Sequence, residues 1–572
     1  MRGRAGKRTP ASTMEKRLIL AFALTIIVFI VFQRFQPRNP DQAVNQQAAK
    51  QVQAQDQNAQ KAPPSYAAEQ TIQPANVSPE DTSATAQKLT VKSDLYQAVI
   101  DNRGALLTGW VLNQYKSNQD RVFEMVAPNQ GGESRIFPTA LIFDDQKATT
   151  QANNEFYQVT INDQPYDGKE LVPPVTAVFK LKRGGLAVEK RFTFEKENYI
   201  VDLSAAAQLD GKPIGGKLFL GQDIGPELEH LSSTTKLGVA YYSGGKVHRE
   251  SAPKDEKEIK KIEGDVRWVG LEMQYFTMIA IPSSPLSSFN IQKLPVQAVG
   301  WDGKPVDRDL IKVTAPINGS SQYQFFIGPK KQSNLNAVQS GDITGVINYG
   351  MFSFLVHPLL AALRWIYKYV SNYGYAIVIL TFLLSLLLFP LRLKQMLSMK
   401  KMQSVQPKVK SIQDKYRKYK KTDPKRAEMN QEIMALYKEH NVNPLGGCLT
   451  LLPQLPLLFA FYALLGYSIE LRQAPFIFWI HDLSIKDPYY VLPIVMGITS
   501  FISQKMTPMT AGTDPAQAKV MMLMPAIFTI MFINLSSGLN LYFLCSNIFQ
   551  VGFQKIAERW LGGRNSEAQS KS

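Results

Sequence analysis

Between two apolar runs lies a strongly basic stretch of about fifty residues, from Phe389 to Gly447, opened by FPLRLKQ and closed by NPLGGC. From Arg392 to His440 it carries fourteen Lys/Arg against five Asp/Glu, an excess of +9. Apolar runs on both sides read as membrane segments, and a loop this basic between two of them is retained in the cytoplasm. That assignment sets the sidedness of every other element. It also puts the most charged part of the chain where a ribosome, a nascent chain or an anionic lipid surface would meet it.

At 572 residues the chain is too long for one ordinary domain. Its 45% hydrophobic residues are unevenly spread. One apolar run lies near the start and the others beyond residue 350, while the middle reads as a water-exposed module. The net charge of +17 suits anionic partners such as the phospholipid bilayer, although a cytoplasmic loop held by positive charge generates much of it. Both cysteines, Cys448 and Cys545, fall in the C-terminal apolar region, so no disulfide framework supports the middle. Five histidines without paired Cys/His spacing argue against a structural zinc site.

Residues 1–17 form a basic cytoplasmic N-terminus. The run Leu18–Phe32 follows with no small-residue cleavage pattern behind it, which predicts an uncleaved anchor over 18–35. Arg17 and Arg34 would snorkel at its ends. Residues 36–88, rich in Gln, Ala, Asn and Pro, cannot bury enough apolar surface to order and read as a disordered linker. Short alternating strands then run over 89–335. One pair flanks Arg183-Gly184-Gly185 and another is broken at Asn102-Arg103-Gly104, and the repetition predicts an all-β sandwich. By topology this domain lies in a Gram-negative periplasm. Within it we find no Ser/His/Asp set and no nucleotide loop.

Residues 340–373 are expected to hold an amphipathic helix lying in the bilayer surface. Leu355, Leu359, Leu363, Ile366 and Val370 share one face, with His357, Arg364 and Lys368 opposite. A spanning segment follows at 374–392. The basic loop, 393–444, carries two helical patterns broken at Thr422-Asp423-Pro424 and reads as an antiparallel helical hairpin. Four further spans fall within 445–560, at about 449–467, 489–504, 520–535 and 539–555, and 561–572 is a cytoplasmic tail. The fold class is therefore mixed: a polytopic α-helical membrane core of five helices plus the anchor, joined to the periplasmic β domain. Both termini are cytoplasmic and 36–373 periplasmic.

Polar groups inside a bilayer are costly and point to function. Thr381, Ser385 and Arg392 lie within about 40° of one another on a helical wheel. Asn540, Asn547, Gln550 and Gln554 share a face of the last span, Ser500, Ser503 and Gln504 a face of the fourth, and Gln454 stands among apolar residues in the third. Such stripes either enclose a hydrated groove or bond helix to helix, at about 0.6 kcal/mol per contact. The last two spans hold only about 15 apolar residues each, short against a hydrocarbon core of about 30 Å, which favours local thinning of the bilayer. Twelve of the 18 methionines lie between Met396 and Met531, where thioethers would suit varied apolar partners or ordinary packing.

Four segments carry a resemblance: NPLGGC at Asn443–Cys448, ELRQAPFIFWIHDLSIKDPYY at Glu470–Tyr490, QKMTP at Gln504–Pro508 and SSGLNLYFLCSN at Ser536–Asn547. In these the chain closely resembles the YidC-type membrane protein insertases, over about 340–560, and the anchor, linker and β domain match the Gram-negative form. The resemblance implies a monomer whose groove opens to cytoplasm and lipid and is closed to the periplasm. It implies insertion of nascent membrane proteins, alone or with the Sec translocon, with the hairpin receiving the substrate and no cofactor or metal required. The hairpin, rather than the short tail, is then the element expected to meet a ribosome or targeting factor. The chain departs from the family where a groove arginine usually follows the matching threonine by four residues. Ser385 stands there, and Arg392 lies seven residues on, about 10 Å nearer the cytoplasm. Arg392 either reaches back into the groove or anchors the helix end. Phe543 replaces a usual tyrosine, while Tyr542 beside it is kept. The rival readings are a small-solute transporter or channel, which would favour acid/base residues at mid-membrane, and an enzyme on lipid or cell-wall precursors. No Asp or Glu lies inside the expected spans, and no nucleophile–base set is visible.

Overall fold

The computed structural model describes residues 84–117, 122–126, 136–221, 224, 237–299, 305–338, 342–419, 423–440, 451–506 and 515–569. The expected basic N-terminus, the 18–35 anchor and nearly all of the linker lie outside the described residues, as does the NPLGGC segment. Two compact units meet in sequence at Ile347/Asn348.

The first unit is built on two antiparallel sheets, one of four strands (Lys88–Lys92, Tyr96–Asp101, Leu106–Lys116, Val122–Val126) and one of fifteen. Alternation makes the strands. In Leu186–Phe194 every second side chain is buried, and the strand pairs with Val175–Arg183 through Arg183 opposite Leu186. The two-residue turn between them uses Gly184 and Gly185 at φ 52° and 85°, a left-handed pair that glycine adopts without a Cβ penalty. The sheets face each other through aromatic contacts: Phe123 stacks on Phe276 at 4.0 Å and Tyr96 lies 6.5 Å from Phe194.

Two sites in this unit hold buried charge. The alternation of Leu186–Phe194 carries Lys190 inward, where it is fully buried. Its Nζ donates to the carbonyls of Gly104 (2.7 Å), Thr139 (2.8 Å) and Ala105 (3.3 Å). Burial pushes this ammonium down to about 7, against three carbonyls that favour its charged form. Glu272 accepts from Arg249 Nε (2.8 Å) and Lys330 Nζ (2.9 Å), and Arg249 Nη2 reaches the carbonyls of Gly345 and Val346. The exit of the chain is thereby pinned to the sheet. Burial would raise the Glu272 carboxyl, but Lys330 and Arg249 outweigh it and hold it below its usual range.

The second unit is helical. Its helices are α1 (Ser353–Val370), α2 (Tyr373–Lys415), α3 (Lys425–Glu439), α4 (Leu451–Tyr467), α5 (Val491–Met506), α6 (Pro515–Phe532) and α7 (Ser537–Gln569). The spanning segment and the first arm of the basic hairpin are one helix, α2, of 43 residues. By length and composition two described helices suffice to cross a membrane, Gly350–Val370 and Tyr373–Lys415, and shorter apolar helices cover Gln454–Tyr467, Val491–Met506 and Met522–Phe532. Helices α4, α5 and α6 hold 17, 16 and 18 residues, whereas the last helix continues for 33.

Contacts give the directions of the helices. A Cβ at Gly538 would touch Ile377, and Phe389 lies 5.3 Å from Phe553, so α2 and α7 run parallel. Met496 pairs with Asn547 and Met506 with Gln554, so α5 runs with them. Arg392 meets Gln454 while Phe461, a turn or two further along α4, stacks on Tyr542 near the start of α7, and these two levels make α4 antiparallel to α2. The hairpin therefore stands at one end, and the 468–490 segment lies at the other. Outward faces are apolar. On α2, Phe382, Leu383, Leu386 and Leu387 are exposed, and on α5, Ile494, Val495, Ile498 and Ile502. Apolar surface this extensive needs lipid or a partner to cover it.

The surface helix differs from the sequence reading. Val356, Leu359, Leu360, Leu363 and Ile366 are buried against the rest of the helical unit. The face left open carries Phe354, Trp365 and Tyr369 beside Lys368.

Candidate functional site

The buried stripe of α2 runs through Ile377, Thr381 and Ser385, with Arg392 half-buried two turns further on. Thr381 is satisfied within its own helix, its Oγ1 donating to the Ile377 carbonyl at 2.6 Å. Arg392 is different. Its Nη2 reaches Gln454 Oε1 of α4 at 3.4 Å, a long contact, while Nη1 is buried with no hydrogen-bond partner among the described residues. Tyr542 of α7 lies within electrostatic reach of the guanidinium. Tyr542 is itself buried, its ring stacked on Phe461 of α4 at 4.0 Å. Arg392 and Gln454 thus join α2 to α4, and Tyr542 and Phe461 join α7 to α4.

The remaining polar residues fall elsewhere. Asn547 Nδ2 donates to Ser500 Oγ at 2.6 Å and lies 3.4 Å from the Met496 carbonyl, joining α7 to α5. Gln554 Nε2 donates to the Met506 carbonyl at 2.8 Å on the same seam. Ser503 is buried beside them and Gln550 half-buried. Asn540 faces no open space. It is fully buried, with Nδ2 reaching the carbonyls of Phe532, Leu535 and Ser536, so it ties off the turn between α6 and α7. Phe543 packs edge-on to Phe532 at 4.6 Å. The stripes are hence two seams and a turn, because side chains about two helical turns apart, such as Asn540 and Asn547, can meet different neighbours.

The hairpin is an antiparallel helical pair. Met402, Val405 and Val409 of α2 bury against Met429, Ile433 and Tyr437 of α3. Exposed Lys415 pairs with Glu432 across it at 3.2 Å, worth little in water. Around this small core the basic side chains stay solvated.

Sequence reasoning missed the far end. Glu470, nearly buried, is gripped by Arg364 of α1 through Nε at 3.1 Å and through Nη2. Asp487 is fully buried, with Oδ1 accepting from Trp479 Nε1 (2.9 Å) and the Tyr489 amide (3.0 Å) and Oδ2 from the Leu492 amide (2.7 Å). The signal was present: Asp-Pro at 487–488 just before an apolar run is a helix-start pattern.

A helical bundle that turns apolar side chains outward and keeps hydroxyl, amide and guanidinium groups inside, preceded by a large β domain, defines a polytopic membrane protein with an extramembrane module. A family model described as 60Kd inner membrane protein matches residues 365–563, and one described as YidC periplasmic domain matches 88–362. The membrane protein insertase YidC of Syntrophus aciditrophicus is 34% identical over 557 residues, covering 95% of this chain and 99% of the relative. That of Geotalea daltonii is 33% identical over 561 residues, covering 96% and 100%. A crystal structure of an active YidC insertase, with its first transmembrane domain resolved, aligns over 82% of this chain and 92% of its own at 18% identity. Its TM-score of 0.36 is too low to add an argument. The chain belongs to the YidC family of membrane protein insertases.

Proposed function

We propose that this protein inserts newly made proteins into the bacterial inner membrane, alone or with the Sec translocon, and performs no covalent chemistry. The hairpin and both termini lie in the cytoplasm and the β domain in the periplasm. One observation carries the mechanism: the buried, half-satisfied guanidinium of Arg392 beside Gln454. A buried cation without full hydrogen bonding is costly, so this seam draws in water or an acidic group from the hairpin end. A nascent segment, met by the hairpin or handed over there by a ribosome or targeting factor, enters beside α2. Its polar flank is solvated along Arg392, Gln454 and Ser385, with Thr381 and Tyr542 deeper in. Its apolar part passes into lipid, which supplies about 25 cal/mol per Å² removed from water. With 17 and 16 residues, α4 and α5 extend about 24–26 Å against a core of about 30 Å, so the bilayer thins beside the path. Ser500 and Asn547 hold α5 to α7, and Asn540 and Phe543 hold the outer turn, with Ser503 and Gln550 as further polar residues of the two helices. The working form is a monomer.

The test is reconstitution of the full chain into liposomes with a newly translated single-span substrate, scored by protease protection of the translocated tail. Arg392→Glu should slow insertion of acidic tails at least tenfold and leave neutral tails unchanged. Equal insertion of acidic tails would reduce Arg392 to a helix-end anchor. Solute flux without tail protection would favour a transporter instead.

A further inference from the structure

The fully buried Lys190 lies where the two sheets of the β unit meet, and the three carbonyls around its Nζ come from unusual backbone. Gly104 and Ala105 form the turn between Tyr96–Asp101 and Leu106–Lys116 of the four-stranded sheet. Thr139 leads into Leu141–Ile142 of the fifteen-stranded sheet, to which Lys190 itself belongs. All three carbonyl donors of this cage are left-handed, with φ at 73°, 47° and 75°. Glycine adopts that region freely, whereas alanine and above all β-branched threonine do not. Neighbouring bonds hold them there: Thr139 Oγ1 donates to the Ala105 carbonyl at 3.2 Å, and the Leu107 amide donates to the Pro138 carbonyl at 3.3 Å. The cage is a strained joint between the sheets, with the ammonium at its centre.

The same turn receives the incoming chain. Asn102 is fully buried, with Oδ1 accepting from the Gln87 amide at 2.8 Å and Nδ2 donating to the Thr85 carbonyl at 2.8 Å. Its own amide donates to the Gln87 carbonyl at 3.0 Å. Lifting the 102–105 turn away from Lys190 therefore also frees the stretch that leads into the first strand.

No carboxylate lies within ion-pair reach of Lys190 among the described residues. The ionisable group that faces it is Tyr157, whose ring is 5.8 Å from Nζ and whose hydroxyl donates to the Ala152 carbonyl at 2.8 Å. Burial raises that phenol far above its usual range, so it stays neutral. Glu189 and Arg191, on either side in the strand, alternate to the other face. Asp101, Arg103 and Glu155 of the adjoining turns are exposed or half-buried, and none of them bonds the ammonium. Water solvates an ammonium better than a dry cage of carbonyls does. Burial thus lowers the hold of Lys190 on its proton, to about 7, while a hydrated lysine keeps an ordinary value of about 10.4. The closed joint is favoured most above about pH 10 and loses ground as pH falls toward 7. Further down it changes little, because there the three carbonyls hold the charged form as well.

We propose that this joint opens by taking up a proton on Lys190, so that acid loosens and alkali tightens the point where the chain enters the β unit. The inference is independent of the insertase reading, since it concerns how the β unit holds its own entry.

The test follows amide hydrogen exchange by mass spectrometry on the full chain in lipid nanodiscs at pH 6 to 9. Protection factors are compared, which removes the intrinsic pH dependence of exchange. Protection over 85–87 and 102–107 should fall at least about tenfold from pH 9 to pH 6, with most of the change above pH 7. Ile279 and Phe325, paired strands of the large sheet, should keep theirs. Lys190→Met has no proton to take up and should give the entry amides equal protection at both ends of the range. Lys190→Gln keeps two N–H donors for the cage without a charge; it serves if the methionine variant does not fold, and should be equally flat. Equal protection at pH 9 and pH 6 in the unaltered protein would overturn the proposal. So would a tenfold fall that persists in either variant.

Discussion

Ile433 is the most informative single position in the hairpin. It is 5% exposed and sits in a core of only six buried side chains that hold α3 against the cytoplasmic arm of α2. An isolated helix of about 15 residues is marginal in water, so the folding of α3 depends on that contact. Ile433→Ala removes buried methyl groups at a cost of about 2–5 kcal/mol. At about 1.4 kcal/mol per factor of ten, the population of detached α3 should rise roughly 30-fold at the least. Amide exchange over 425–439 should accelerate by that factor, while the membrane helices keep their protection. Met434, one residue on and 51% exposed, provides the control, and Met434→Ala should change exchange little. If the hairpin receives substrate as a folded pair, insertion in the liposome assay should fall with Ile433→Ala and not with Met434→Ala. Exchange of the 425–439 amides within threefold of the unaltered protein would refute the packing argument outright.

Two further outcomes are expected. A double-mutant cycle of Ser500→Ala and Asn547→Ala should give a coupling of about 0.6 kcal/mol in membrane unfolding, with insertion unaffected, because the Met496 carbonyl at 3.4 Å gives the Asn547 amide an alternative. A large loss of insertion at normal stability would instead place this pair on the substrate path. In the β unit, Glu272 has its carboxyl depressed below 4.5, so its contribution is fully present above pH 4.5 and is lost as pH falls through the lower folded value. Thermal unfolding of that unit between pH 5 and 3 should therefore lose part of its slope with pH in Glu272→Gln. An unchanged slope would show that other carboxylates carry the acid sensitivity.

Much of this arrangement can be read from residue order because its causes are local. Alternation of period two marks Leu186–Phe194 as a strand, Gly184-Gly185 marks its turn, and the basic run between apolar stretches marks the hairpin. A helical wheel also places Thr381, Ser385 and Arg392 on one face, since 3.6 residues per turn needs no partner to be known. What a wheel lacks is the identity of the neighbour. Asn540 and Asn547 share a stripe, yet one closes a turn and the other bonds a different helix. The leucines of α1, which could equally have met lipid, are claimed by protein, and aromatics take the outer face.

Sequence by itself therefore determined the helices, the strands, the β unit ahead of the helical one and the basic hairpin, for these follow from periodicity and from the clustering of apolar and charged residues. Only the tertiary structure decided which polar groups satisfy one another, that Arg392 Nη1 is buried without a partner among the described residues, and which carbonyls hold the first turn of α7. Those outcomes depend on distances of about 3 Å between residues far apart in the chain, and no local pattern encodes them.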